Sequence, residues 1–84
     1  MASSDKLKIL IVDNHDIVRK GLAMLVSRQE DLFVVAEAGS VAEAVAKARE
    51  SVPDVVVMDI RLPDGTGIEA CREIRDGNSD VKVL

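Results

Sequence analysis

The chain has 84 residues, of which 48% are hydrophobic, and its 15 acidic and 11 basic side chains give a formal net charge of −4. This length and composition predict one small globular domain or part of one. The negative charge disfavours direct binding of nucleic acid, which depends on Lys and Arg side chains that replace counterions. No apolar run approaches the roughly 20 residues that cross a bilayer. The single cysteine, Cys71, cannot form an internal disulfide, so a cytoplasmic protein without a membrane partner is expected.

Apolar periodicity predicts strands that alternate with helices. The expected strands are residues 7–12, 32–38, 54–59 and 81–84, and the expected helices are residues 15–29, 41–51 and 67–75. The spacings of Ser40 with Glu43 and of Thr66 with Glu69 predict capping boxes at the starts of the second and third helices. The third strand is expected to be fully buried. Short connections between alternating elements require a parallel sheet, so the fold class is α/β with a doubly wound sheet.

Two of the three complete strands end in an aspartate. Asp13 follows the first strand, with Asn14 beside it, and Asp59 closes the third. The carboxyl ends of neighbouring parallel strands lie about 4.8 Å apart at one edge of a sheet, where doubly wound folds bind ligands. Oxygen donors at such an edge suit Mg²⁺. The residues leave two interpretations open: a metal-assisted phosphoryl acceptor, or aspartates that act only as caps and solvated turns.

Several other polar or reactive side chains have structural interpretations. His15, next to the acidic pair, is expected to be hydrogen-bonded or solvated and not a ligand. Cys71 lies on the apolar stripe of the third helix with Ile68 and Ile74, which favours a core thiol. Four basic residues are expected on solvated helix faces: Arg19, Lys20, Arg72 and Arg75.

Three segments occur in order along the chain: LKILIVDNHDIVRKGL, VVAEAGSVAEAVA and PDVVVMDIRLPDGTGIEACREI. Together they resemble the receiver domain of two-component response regulators. The resemblance is strongest to the LuxR/NarL-type subfamily, whose receivers precede a helix-turn-helix DNA-binding domain, and it extends from about Leu7 to Leu84. It implies a flavodoxin-like sheet with strand order 2-1-3-4-5 and a role as a signalling switch, not as an ordinary enzyme.

The resemblance also implies a role for individual residues. Asp59 would be the phosphoryl acceptor, receiving its phosphoryl group from a phosphohistidine on a sensor histidine kinase. Asp13 and Asn14 would occupy the positions of the family's acidic pair, and with Asp59 and the backbone carbonyl of Arg61 they would hold Mg²⁺. The family usually has aspartate where this chain has Asn14. The amide removes one negative charge from the pocket, so weaker metal binding is expected.

Some parts that the resemblance implies have no counterpart in the 84 residues. The family places a Ser or Thr after the fourth strand and a Lys after the fifth, and builds its signalling face from the fourth helix, fifth strand and fifth helix. Residues 7–84 are therefore expected to be an incomplete receiver, truncated in the fourth strand, with residues 1–6 disordered or frayed. The exposed sheet edge and uncovered apolar faces predict self-association as a dimer. DNA contact is expected only through a C-terminal domain outside this chain.

Asn14 keeps a second function open, a receiver-like module that serves dimerisation or docking without phosphorylation. Two other doubly wound classes are disfavoured. A phosphohydrolase of the haloacid-dehalogenase type carries Asp-x-Asp on its first strand, whereas this chain has Asp13-Asn14-His15. A flavodoxin-type FMN binder needs small hydroxyl-bearing residues after the first strand to cradle phosphate, and this loop lacks them.

Overall fold

Strands and helices alternate along residues 6–84, the part of the chain that the computed structural model describes. The strands are β1 (Leu7–Val12), β2 (Leu32–Ala38), β3 (Val55–Met58), β4 (Arg61–Leu62), β5 (Gly65–Thr66) and β6 (Lys82–Val83), and the helices are α1 (Asp16–Ser27), α2 (Val41–Ser51) and α3 (Gly67–Gly77). The predicted frayed segment lies, apart from Lys6, outside the described residues. None of the described helices is long and apolar enough to span a bilayer.

β1 lies inside a four-stranded parallel sheet with the order β2-β1-β3-β6. This order confirms the doubly wound, flavodoxin-like α/β fold over the strands present. β6 is shorter than the expected strand, although the Leu84 amide still donates to the Val56 carbonyl at 2.8 Å. The chain passes from β1 to β2 on one side and later to β3 on the other. The strand order therefore reverses at the carboxyl end of β1, which is where such folds place their ligands.

The pairing of β1 with β2 contains one irregularity. Ile9 pairs with Val34, but the next residue, Leu10, pairs with Ala36, so the register passes over Val35. One extra residue on one strand of a pair is a β-bulge. The pairing of β1 with β3 runs without a shift, so the irregularity belongs to the outer strand β2.

The main hydrophobic core lies between the sheet and helices α2 and α3. Its buried members are Leu10, Val12, Ala38, Ala44, Val45, Ala48, Val56, Leu62, Ala70, Ile74 and Val81. The α2 residues among them are the face that the sequence periodicity predicts. Small alanines on α2 let this helix lie close to β1 and β2, and α3 packs mainly against α2.

Helix α1 packs on β1 and β2 on the opposite face of the sheet and covers it incompletely. No residue of α1 is buried, and Ile17 is 89% exposed. The expectation of a fully buried third strand is wrong, because Val56 alone is buried in β3 while Val57 and Met58 are half-buried. Apolar surface therefore remains open beside α1 within the described chain.

The apolar stripe predicted on α3 is also only partly buried. Ile74 is buried, but Cys71 is half-buried and Ile68 is 62% exposed. The buried face of α3 consists of Gly67, Ala70 and Ile74, whereas Ile68 lies outside this face and is exposed to solvent. Cys71 is thus a packed thiol at the margin of the core and not a central core residue.

Both helices have a side-chain cap at the predicted residue, but only α3 has the complete capping box, because Glu43 accepts from Gly39 and not from Ser40. The Ser40 hydroxyl accepts a hydrogen bond from the Glu43 amide at 3.1 Å, and the Glu43 carboxylate accepts from the Gly39 amide at 2.8 Å. At α3, the Thr66 hydroxyl accepts from the Glu69 amide at 3.2 Å while the Glu69 carboxylate accepts from the Thr66 amide at 2.9 Å. These bonds satisfy amides that the first helical turn leaves without partners and so fix where α2 and α3 begin.

Candidate functional site

Asp13 and Asp59 lie one residue beyond the ends of the neighbouring strands β1 and β3. The Asp13 amide donates to the Ala38 carbonyl at 3.0 Å, and the Asp59 amide donates to the Val12 carbonyl at 2.9 Å. The sheet ladder thus continues through both aspartates and holds their backbones. Ligand atoms of Asp13, His15 and Asp59 all lie within 4.8 Å of one another. The structure therefore brings together the two carboxylates that the strand ends predict.

Of the two carboxylates, that of Asp13 is the more buried, and its side chain is only 13% exposed. Its Oδ1 accepts a hydrogen bond from the His15 amide at 2.8 Å and lies 3.0 Å from His15 Nδ1. The imidazole itself is 66% exposed. His15 is thus the hydrogen-bonded residue that was expected, standing before the first turn of α1 and facing the acidic pocket.

The loop after Asp59 folds back so that its end contacts the backbone of Asp59 and Ile60. The Arg61 amide donates to Asp59 Oδ1 at 3.3 Å, and the Gly67 amide donates to the Ile60 carbonyl at 2.7 Å. A Cβ atom on Gly67 would overlap the carbonyl oxygen of Asp59 and lie 2.8 Å from Cγ of Met58. Only glycine therefore lets α3 start this close to the end of β3.

Asn14 and Arg61, the other two predicted metal-site residues, both lie at the surface beside the aspartates. Asn14 is in the loop that joins β1 to α1, directly after Asp13. Arg61 begins the short hairpin of β4 and β5, which the sequence predicted only as a turn. Both residues therefore stand in the two loops that frame the pocket.

Arg19 is not the solvated residue that was expected. Its side chain is only 15% exposed, and its guanidinium reaches three acceptors. Nη1 donates to the Asp13 carbonyl at 2.8 Å, Nη2 to Asp16 Oδ1 at 2.8 Å and Nε to Glu37 Oε1 at 3.2 Å. Burial lowers the pKa of Arg19, but the hydrogen bonds and charges of Asp16 and Glu37 outweigh it and raise the pKa above its ordinary value.

Part of this network could have been found in the sequence. Asp16 precedes Arg19 by three residues, a spacing at which oppositely charged side chains meet on a helix. The contacts with Glu37 and with the Asp13 carbonyl join three different elements. No local spacing predicts them, because they depend on how α1 packs against the ends of β1 and β2.

Asp64 is a second residue whose role the sequence does not reveal. It lies in the turn between β4 and β5, and its two carboxylate oxygens accept hydrogen bonds from the amides of Val41 at 2.7 Å and Ala42 at 3.1 Å. The Val41 bond and then the Ala42 bond hold the pKa of Asp64 below its ordinary value. The hairpin that follows the candidate acceptor is thereby attached to the N-terminus of α2.

Residues 9–84 match the family described as response regulator receiver domain. The chain is 49% identical over 78 residues to the DNA-binding transcriptional activator DevR/DosR of Mycobacterium tuberculosis, over 93% of this chain and 36% of that protein. It is 47% identical over the same shares to the transcriptional regulatory protein LnrK of Bacillus subtilis. The chain thus spans about a third of the length of these curated relatives.

Solved structures share the fold. A LuxR-family two-component response regulator from Aurantimonas superposes with a TM-score of 0.89 at 44% identity, over 94% of this chain and 56% of that one. The response regulator domain of Thermotoga maritima CheB gives 0.87 at 37% identity, over 93% and 57% of the two chains. Both superpositions cover more than nine tenths of this chain.

The parallel sheet with two aspartates at its carboxyl edge has the arrangement of a receiver domain, and receiver domains are signalling modules and not classical enzymes. The chain belongs to the receiver domain family of two-component response regulators, and its relatives include LuxR/NarL-type transcription regulators. The resemblance stated from the sequence is thereby confirmed. Receiver domains typically bind Mg²⁺ at their acidic pocket, which is the place that Asp13 and Asp59 occupy here.

Proposed function

We propose that this chain is the phosphoacceptor module of a two-component regulator. In this proposal Asp59 receives a phosphoryl group from a sensor histidine kinase, and the modification switches a transcription regulator that binds DNA through a separate C-terminal domain. The convergence of Asp13 and Asp59 at the switch point of a receiver fold carries the proposal. The relative DevR/DosR is described as a DNA-binding transcriptional activator, which supports the proposed output.

The donor atoms at the pocket fit Mg²⁺. Asp13 and Asp59 offer carboxylate oxygens, Asn14 offers an amide oxygen, and Arg61 offers a backbone carbonyl. Hard oxygen donors of this kind suit the cation, which needs only a few protein ligands. Two carboxylates this close repel each other, and a cation between them relieves the repulsion. When bound, the cation would neutralise charge on the phosphoryl group during transfer.

Asp59 performs the covalent step. One carboxylate oxygen forms a bond to phosphorus while the bond between phosphorus and the imidazole nitrogen of the donor breaks, and its electron pair stays with that nitrogen. The products are an acyl phosphate on Asp59 and an unmodified histidine on the kinase. The Arg61 amide, which donates to Asp59 Oδ1 at 3.3 Å, holds the carboxylate in one orientation before the reaction.

An intact mass spectrum before and after treatment with acetyl phosphate and Mg²⁺ tests the proposal. We expect one added phosphoryl group that hydroxylamine removes, and no addition when the metal is chelated. Asp59→Asn should abolish the gain. Asp76→Asn, which changes an exposed carboxylate on α3, should leave it intact. A folded native chain that takes up no phosphoryl group under these conditions would contradict the assignment of Asp59.

Asn14 and the uncovered apolar side chains favour one second candidate, a receiver-like module for dimerisation or docking that needs no phosphorylation. Ile17 on α1 and Ile68 on α3 are 89% and 62% exposed. Calorimetric titration with Mg²⁺ separates the two candidates. Binding at millimolar concentration supports the phosphoacceptor, whereas no binding together with a concentration-dependent dimer in sedimentation supports the docking module.

We also propose that a sensor histidine kinase is the partner of this chain, that the chain self-associates as a dimer, and that it is located in the cytoplasm. Because the chain spans about a third of its curated relatives, the activity of a whole regulator is also part of it. The description of residues 7–84 as an incomplete receiver stays a prediction. Incubation of phosphorylated sensor kinase with this chain, compared with Asp59→Asn, measures phosphoryl transfer by the gain in mass of the proposed acceptor.

A further inference from the structure

Arg19 connects three elements that meet at the acidic pocket. Its guanidinium contacts the Asp13 carbonyl after β1, the Asp16 carboxylate in the first turn of α1 and the Glu37 carboxylate near the end of β2. The side chain is 85% removed from solvent, since only 15% of it is exposed. A planar guanidinium presents its donors in a fixed fork, so the three acceptors hold it in one orientation.

The peptide groups around Asp13 are consequently fixed on both sides. Its amide donates to the Ala38 carbonyl at 3.0 Å, and its carbonyl accepts from Arg19 Nη1 at 2.8 Å. Its carboxylate accepts from the His15 amide at 2.8 Å. Of these three bonds, the one from Arg19 is the only one that a side chain donates. A substitution can therefore remove it without changing the backbone of the loop.

The space around the guanidinium is shaped for it. A Cβ atom on Gly39 would lie 3.3 Å from Arg19 Nη1, closer than most side-chain contacts, so the glycine leaves room for the donor. A lysine at position 19 would carry the same charge on a single ammonium group. It could not reach the Asp13 carbonyl, Asp16 and Glu37 with the same geometry.

We propose that Arg19 is a positioning residue that holds Asp13 in the orientation in which its carboxylate binds the cation. This inference rests on the proposed function, because it assigns Arg19 a role at the Mg²⁺ site. The charge of Arg19 acts in the opposite direction, since a guanidinium near the pocket repels a cation. When Arg19 is replaced by a neutral residue, loss of positioning should therefore weaken Mg²⁺ binding, whereas loss of the charge should strengthen it.

Calorimetric titration of the purified chain with Mg²⁺ tests the role. We expect Arg19→Gln to weaken Mg²⁺ binding by about tenfold, the size typical for residues that orient metal ligands. Arg19→Lys should weaken binding at least as much, because the repelling charge stays while the fork is lost. Lys20→Gln is the matched control. It removes one positive charge from an exposed neighbour on the same helix and should not weaken binding.

The possible results distinguish a positioning role of Arg19 from an effect of its charge and from a purely structural role. Tighter binding by Arg19→Gln would show that only its charge matters and would overturn the inference. Unchanged affinity with a lower melting temperature would show a structural role alone and would also overturn it. If the native chain binds no Mg²⁺, the proposed metal site fails first, and the positioning role fails with it. Weaker binding in both variants with native-like circular dichroism supports the inference.

A second measurement does not depend on the metal. His15 is the single histidine of the chain, so its ring signals in an NMR spectrum are unambiguous. Release of the Asp13 carbonyl should shift these signals in Arg19→Gln and leave them unchanged in Lys20→Gln. If Arg19→Gln does not fold, Glu37→Gln replaces it, because a neutral amide oxygen weakens one of the three contacts of the guanidinium. Native ring signals and native Mg²⁺ affinity in that variant would overturn the inference.

Discussion

The Oδ1 atom of Asp64 lies 2.7 Å from the backbone nitrogen of Val41, so a turn near the proposed acceptor caps a helix that begins 23 residues earlier. The other oxygen of the same carboxylate accepts from Ala42 at 3.1 Å. Helix N-termini attract carboxylates because their first amides lack partners and carry partial positive charge. The contact fixes the β4–β5 hairpin relative to α2, and through it the loop that contains Arg61.

Replacement of Asp64 should therefore destabilise the domain at neutral pH. We expect Asp64→Ala to lower the midpoint of thermal unfolding measured by circular dichroism, because the amides of Val41 and Ala42 lose their acceptor. Asp76→Ala, which removes an exposed carboxylate from α3, should change the midpoint less. Equal midpoints for the native chain and Asp64→Ala at pH 7 would show that solvent replaces the cap.

The same contact predicts a dependence on pH. The pKa of Asp64 in the folded chain is below its ordinary value, so the charged carboxylate stabilises the fold above the unfolded pKa of about 3.9. This stabilisation is lost as pH falls through the lower folded pKa. The difference in midpoint between the native chain and Asp64→Ala should thus be full at pH 7 and shrink in strong acid. A difference that grows on acidification would contradict the assignment.

Gly67 should tolerate no side chain. We expect Gly67→Ala to cost about 1–3 kcal/mol in the free energy of unfolding, because its Cβ would overlap the Asp59 carbonyl and force a shift of backbone. Gly77→Ala provides the control at the other end of α3. Its Cβ would meet nothing within 4 Å, so we expect unchanged or increased stability. Urea unfolding of both variants measures the contrast, and equal stabilities would contradict it.

Two isoleucines on α3 differ in burial and should differ in energetic importance. Ile74 is 5% exposed and Ile68 is 62% exposed. Ile74→Val should cost about 0.5–1.5 kcal/mol through the lost methylene contacts. Ile68→Val should stay within about 0.5 kcal/mol of the native chain. If a second copy covers Ile68 in solution, its substitution should instead become costly at high protein concentration.

Asn14 should limit the affinity of the pocket for metal. Asn14→Asp adds a carboxylate next to Asp13, so we expect tighter Mg²⁺ binding in calorimetry, with a larger gain at low ionic strength. Asn78→Asp adds the same charge at the end of α3 and serves as the control. Unchanged affinity in Asn14→Asp would mean that the side chain of residue 14 does not contact the cation.

The sequence predicts much of the fold because local signals and global topology agree. The apolar run of β1 and the spacings of Ser40 with Glu43 and Thr66 with Glu69 are local features, and the structure has the strand and both caps. The meeting of Asp13 with Asp59 follows from topology, since both residues end neighbouring parallel strands. These features require no knowledge of side-chain packing.

The unpredicted features depend on packing between distant elements. Arg19 looks like an ordinary basic residue of an amphipathic helix until α1 docks on the sheet and brings it to Glu37. Asp64 looks like a turn residue until the hairpin meets α2. The burial of β3 was overestimated because the apolar run alone does not tell how many helices cover each face of the sheet. Such contacts are set by three-dimensional proximity and leave no periodic signal.

The bulge at Val35 determines which face of the sheet receives a charge. In the observed pairing, Glu37 stands opposite Ile11, on the α1 side, and Ala38 stands opposite Val12, on the α2 side. If β2 continued regularly from Val34, Glu37 would stand opposite Val12 and point into the main core, because one step of register reverses every side chain. The extra residue thus shifts the alternation of side chains along β2. As a result, Ala36 and Ala38 face α2, and the Glu37 carboxylate contacts the Arg19 guanidinium.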